Sequence, residues 1–233
     1  MTTIAANLQA VRERVADAAI AAGRRPEEIA LLAVSKTWPA HCVAEAADAG
    51  QRLFGENYVQ EGVAKVAELQ ARGLEWHFIG PLQSNKTRPV AAHFDWVHSV
   101  DRLKLAERLS EQRAAESAPL NVCIQVNVSG EASKSGVAPD EVAALARQVA
   151  ALPRLRLRGL MAIPEPDGDE ALLRGRFATL RRLRDELNAA GFALDTLSMG
   201  MSHDLELAIA EGATMVRVGT AIFGTRKLRE ERI

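Results

Sequence analysis

A chain of 233 residues is long enough for a sizeable core and suits an α/β barrel built as one unit over 1–233. Its composition, 48% hydrophobic and 25% charged, is that of an ordinary soluble globular protein. A formal net charge of −1 excludes a broad electrostatic grip on nucleic acid or on acidic membranes. No apolar stretch approaches the length that spans a bilayer, and the polar, amphipathic N-terminus carries no secretory signal. The two cysteines, Cys42 and Cys123, stand far apart without C-x-x-C spacing, so they read as reduced thiols of a cytoplasmic protein.

In chain order, residues 3–22 place Ile4, Leu8, Val11 and Val15 on one helical stripe that stops at Gly23. "IALLAVS" follows as a short buried strand, then "PAHCVAEAADAG" as a helix from Pro39 to Gly50. The rhythm repeats through "RLFGEN" and the helix "YVQEGVAKVAELQARG", then through "EWHFIG" and a weaker helix near 82–92. "DWVHSV" leads into a helix with Asp101 as its N-cap, continuing to about Ser117. "LNVCIQVNVS" precedes a helix from Pro139 to Leu152, and "LRLRGLMAI" precedes a charged helix at 169–190. "TLSMG" precedes "HDLELAIAEG", and "TMVRVGTAIFG" leads to a short last segment.

Eight strand-then-helix units without a linker imply parallel pairing and a sheet covered on both faces. The predicted fold is a single-domain (β/α)8 TIM barrel with an extra N-terminal helix; the alternative is a doubly wound open sheet. In a barrel, sites form where strands end, and phosphate binds after strands seven and eight. Lys36 falls at the end of strand one. "SMGMSHD" follows strand seven, with Ser202 expected to begin the next helix, and Gly219 and Thr220 follow strand eight. Singly, each is equally a cap or a turn residue, and Asp204 would repel an anion unless turned away. Their pairing at two predicted places suggests a phosphate site.

A lysine facing a phosphate site suggests Schiff-base chemistry, since low-dielectric walls favour the neutral, nucleophilic amine. Pyridoxal 5′-phosphate and phosphorylated sugars both carry a carbonyl and a phosphate, and spacing does not choose between them. The plainer alternative is a Lys36 that snorkels at a strand end. His77 and His98 lie on predicted strands, where a satisfied packing role competes with a part in acid–base chemistry. No ligand cluster points to a metal.

"AVSKT", "FGENYVQE", "WHFIGPLQSNK", "GLMAI", "SMGMSHDLELAIAEG" and "MVRVGTAIFG", in this order, closely resemble the pyridoxal phosphate homeostasis proteins. That family is similar in fold to the N-terminal barrel of alanine racemase. The resemblance implies pyridoxal 5′-phosphate (PLP) as a Schiff base on Lys36, and phosphate held by Ser202, Gly219, Thr220 and the backbone around Met201. It also implies Arg217 beside the pyridine nitrogen and Asn57 beside the cofactor. Arg217 can only donate hydrogen bonds, so it disfavours ring protonation and leaves a weak electron sink. The implied function is vitamin B6 homeostasis: a carrier without efficient catalysis and without catalytic residues, serving PLP-dependent apoenzymes.

The chain departs from the family at Trp38, where many members have a second lysine. Lys134 matches a family lysine, and Lys134 and Lys227 are the candidates for a second PLP site. The alternatives are a racemase, needing a second base such as Tyr58, and a Schiff-base lyase acting on a sugar phosphate. A monomer is expected, because the second domain that pairs racemase subunits is missing.

Overall fold

The computed structural model describes residues 3–130, 135–165 and 169–225. Eight parallel strands close on themselves in sequence order: β1 (Ala30–Val34), β2 (Leu53–Glu56), β3 (Glu75–Phe78), β4 (Trp96–Val100), β5 (Leu120–Gln125), β6 (Leu155–Met161), β7 (Thr196–Ser198) and β8 (Met215–Val218). The ladder from Ala30↔Met215 to Ala33↔Val218 joins the last strand to the first. That ladder rules out the open sheet.

The helices are α1 (Ile4–Ala21), α2 (Ala40–Asp48), α3 (Val59–Glu68), α4 (Thr87–His93), α5 (Leu103–Gln112), α6 (Val142–Ala150), α7 (Glu170–Ala189), α8 (Leu205–Ala210) and α9 (Thr220–Phe223). The Thr3 side chain caps α1 by accepting from the Ala6 N–H at 3.2 Å, and Leu8, Val11, Val15 and Ala19 bury its stripe. α1 packs against α2, α8 and α9. Only the four-residue α9 follows β8 among the described residues, so α1 takes the seat of the eighth helix in the outer ring. The extra N-terminal helix expected from the sequence is present and packs into the outer ring.

Several helix ends differ from the sequence expectation. Asp101 is not the cap of α5: Arg102 holds that place with extended backbone, and the Asp101 carboxylate accepts from the Arg102 guanidinium at 2.5 Å. α5 stops at Gln112 because Arg113 turns extended and donates to the carbonyls of Ala91, Phe94 and Ala118. Residues 58–73 split into α3 and a 3-10 turn at Gln70–Arg72.

Strand alternation sends one set of side chains to the helices and the other into the barrel. Phe54, Phe78, Val97, Ile124, Leu160 and Val216 bury outward against the helix layer, where each large side chain contributes about 1.5–3 kcal/mol. Leu32, Val34, Ile79 and Met215 pack together inside, and so do Trp96, Cys123 and Met161. Cys42 and Cys123 are free thiols that burial pushes toward the neutral form. Among the described residues no helix is long and apolar enough to cross a membrane, and no side-chain cluster has the makings of a metal site.

Candidate functional site

Leu32 and Val34 point into the barrel, and the half-buried Lys36 follows two residues past the end of β1 at the C-terminal mouth. The chain then turns sharply. Thr37 has φ 68, a left-handed conformation rarely adopted by a β-branched residue, and its N–H donates to Glu61 Oε1 at 2.5 Å. Behind this turn lies a buried ionic cluster. Lys65 Nζ donates to Glu56 Oε1 (2.7 Å), Glu61 Oε1 (2.6 Å) and the Ser35 carbonyl (2.8 Å). The Ser35 hydroxyl donates to Glu56 Oε1 at 2.6 Å. Burial pushes the Glu56 carboxyl up, and the Lys65 ammonium opposes that shift. One ammonium thus ties β1, β2 and α3 together beneath Lys36, and its removal would strand a buried carboxylate.

Asn57, next past β2, follows the inward parity of Leu53 and Gly55, and its Oδ1 is buried without a hydrogen-bond partner. An orphaned acceptor is costly unless something else donates to it. Tyr58 beside it is exposed and stands at the start of α3 without capping it through its side chain. Trp38 is half-buried and stacks on Phe223 at 6.0 Å, joining the loop after β1 to α9.

Two loops flank the end of β1. After β7, Gly200 has φ +91, and Met201 N–H donates to Asp204 Oδ1 at 2.5 Å. Asp204, not Ser202, stands at the N-terminus of α8, so the expectation that Ser202 begins the helix is corrected. The Asp204 carboxylate turns onto its own loop, and that engages the Met201 donor. Ser202 is half-buried in the turn. After β8, a Cβ on Gly219 would come 3.1 Å from the Val34 carbonyl oxygen, so a side chain there would crowd β1 just before Lys36. Thr220 is exposed and opens α9. α1 steadies both loops: Arg14 donates to the Ser202 carbonyl at 2.7 Å and pairs with Glu206, and Asn7 donates to the Ile222 carbonyl at 3.0 Å.

Arg217 points inward from β8 and is 3% exposed. It donates to Ser198 Oγ at 2.9 Å and to the Ala162 carbonyl at 2.8 Å, which sets its guanidinium by the C-terminal ends of β6 and β7. Burial lowers its pKa to about 10, so it stays cationic at neutral pH. His98 and His77 are fully buried inside the barrel, bonded to each other and, respectively, to Ser198 and Glu75. The sequence reading left them as packing or acid–base groups; they are bonded interior groups. Lys134 and Lys227 lie outside the described residues.

Residues 3–227 match the family described as the alanine racemase N-terminal domain. The chain is 64% identical to the pyridoxal phosphate homeostasis protein of Pseudomonas aeruginosa, over 97% of each chain. It belongs to the pyridoxal phosphate homeostasis protein family. The homeostasis protein of Escherichia coli is 58% identical to it, over 97% of this chain and 98% of its own. The structure of PipY from Synechococcus elongatus PCC7942 with PLP bound superposes with a TM-score of 0.79 at 42% identity. That match covers 90% of this chain and all of PipY (100%). In this homeostasis-family barrel, Lys36, Asn57, Ser202, Gly219 and Thr220 all lie at or just beyond strand ends of the C-terminal mouth, and Arg217 reaches that mouth from inside.

Proposed function

We propose that this chain is a PLP carrier of vitamin B6 homeostasis, holding PLP as a Schiff base on Lys36 without efficient catalysis. The observation that supports this reading is the place of Lys36, just past the end of β1 at the same mouth as two loops that offer hydroxyls and close backbone approach. PLP bound to the related PipY supports the choice of PLP over a phosphorylated sugar.

The residues present fit PLP. Asn57 Oδ1 lacks a donor, Gly219 has no side chain to cover its backbone beside β1, and the Arg217 guanidinium sits at mouth level. When bound, PLP supplies an aldehyde carbon open to attack by an amine. Lys36 offers that amine. Ser202 and Thr220 offer hydroxyl donors and Gly219 a backbone donor for the phosphate; Met201 contributes backbone to the same loop, with its N–H shared with Asp204. Arg217, cationic and donor-only, holds a ring nitrogen unprotonated and so weakens the ring as an electron sink. We further read the chain as one unit over 1–233, monomeric and cytoplasmic, that hands PLP to PLP-dependent apoenzymes.

The test is borohydride reduction of PLP-loaded protein, followed by peptide mapping. Wild type should carry the label on Lys36, and Lys36→Ala should lose both the yellow absorbance and the label. A label that persists in the variant on Lys134 or Lys227 overturns Lys36 as the sole site.

A further inference from the structure

Five side chains form one continuous hydrogen-bonded line through the barrel interior. Glu75 Oε1 lies 3.0 Å from His77 Nε2, and His77 Nδ1 lies 2.9 Å from His98 Nε2. His98 Nδ1 lies 2.8 Å from Ser198 Oγ, which accepts from Arg217 Nη1 at 2.9 Å. Glu75 opens β3 at the N-terminal mouth and its side chain is 45% exposed; the other end is the guanidinium by the cofactor mouth.

Chemistry fixes the direction of every link. The bond from His77 holds the Glu75 carboxyl below the usual range, so Glu75 is an anion and only accepts. Burial keeps both imidazoles neutral, so each has one N–H and one acceptor nitrogen. His77 therefore donates through Nε2 to Glu75 and accepts at Nδ1. His98 then donates through Nε2 and accepts at Nδ1 from the Ser198 hydroxyl. Ser198 in turn accepts from Arg217. All the protons point from cation to anion, and such chains polarise cooperatively.

Arg217 needs this arrangement, because among the described residues no carboxylate pairs with it. The ionisable groups bearing on it are Asp204, whose charge favours the guanidinium from the loop after β7, and Cys123, which burial keeps neutral. Near Glu75, Trp96 stacks on His77 at 5.2 Å. Arg158 lies 4.8 Å over the Trp96 ring and is paired with Asp195. The bonds to Ser198 and Ala162 fix the plane of the guanidinium fork and hence the edge it turns to the mouth.

We propose that Ser198 and His98 are positioning residues for Arg217 and that Glu75, reached through His77, is the anionic end that sets the direction of the line. The proposal rests on the reading of Arg217 as partner of the PLP ring nitrogen.

Two measurements test it. In cofactor-free protein, nitrogen-15 NMR of the histidine rings should find His77 and His98 both neutral with the proton on Nε2. A proton on Nδ1 of either ring overturns the direction of the line, whatever the protein binds. In PLP-loaded protein, Ser198→Ala should shift the absorption band and its pH midpoint and weaken PLP retention roughly 10-fold. Ser198→Thr, which keeps the hydroxyl, should restore all three. Glu75→Gln, at a half-exposed position, keeps an acceptor for His77 but removes the charge, and should shift the band the same way by less. Spectra and retention unchanged in both Ser198→Ala and Glu75→Gln overturn the positioning role, even if thermal stability falls. Absence of any PLP band in wild type overturns the functional reading, an outcome the cofactor-free NMR result keeps distinct.

Discussion

The barrel interior has two unlike sides. Against β1, β2, β3 and β8, Leu32, Val34, Ile79 and Met215 make a dry apolar plug. Between β3, β4, β7 and β8, His77, His98, Ser198 and Arg217 make a hydrogen-bonded polar line. Both sides obey the same inward alternation, so the fold does not dictate the difference; the mouth group each side supports does. Lys36 follows the strand of the apolar side, which is held by packing inside the barrel and by the ionic cluster of Lys65 outside its wall. Arg217 keeps its charge inside the wall and requires a partner for every polar neighbour. The apolar side gains stability from area removed from water; the polar side gains orientation, at little net stability.

The largest effect should come from breaking the apolar side. Leu32→Ala opens a cavity at a fully buried position and should cost about 2–5 kcal/mol in chemical denaturation. Hydrogen exchange should show β1, β2 and β8 loosened. A cost below about 1 kcal/mol would mean that the plug carries no such weight.

A middle-sized effect should appear at the mouth rather than in the interior. Ser202→Ala and Thr220→Ala should each weaken PLP retention by about 1–3 kcal/mol, roughly 5- to 150-fold, with stability nearly unchanged. Pyridoxal without its phosphate should bind wild type and both variants equally poorly. PLP held at wild-type strength by both variants would place the phosphate elsewhere.

The smallest effect sharpens the polar side through pH. Burial depresses the folded pKa of His98 well below its unfolded value. The unfolded chain therefore takes up a proton, below about pH 6.5, that the folded chain refuses. Stability is fully present above that pH and falls as pH drops, by about 0.8 kcal/mol for this residue at pH 6. Unfolding measured from pH 7.5 to 6 should show the fall, and His98→Gln should reduce it to the part that the likewise depressed His77 contributes. Leu32→Ala should keep the wild-type slope, which separates the two sides by the pH dependence of stability rather than by its size.

The barrel was legible because buried apolar runs recur between helices at a spacing that only parallel pairing satisfies. Lys36 was legible for a related reason: an ammonium two residues past a buried strand needs a purpose. The ionic cluster was not. Glu61 and Lys65 are an ordinary i, i+4 pair on a helix, and nothing in the chain announces that Glu56 and the Ser35 carbonyl meet them. The interior line was half visible, since His77 and His98 both fall on strands that the sequence marks out, while Glu75 drew no notice. The connection of the two rings to each other and to Ser198 depends on which strands face each other across the barrel, which one sequence does not state. Ser202 was misread as a helix start because Asp204, two residues on, competes for the same cap.

α1 carries a consequence in time rather than in space. It precedes every other described helix in the chain, yet it packs against α2, α8 and α9, and its bonds to Ser202 and Ile222 span 188 and 215 residues. Contacts that distant in sequence are slow to form, and the apolar stripe of α1 stays uncovered until α8 and α9 exist. The loops after β7 and β8 therefore receive the support of α1 only when these distant parts of the chain meet. On the proposed reading of these loops, PLP rewards only those molecules whose ring has closed.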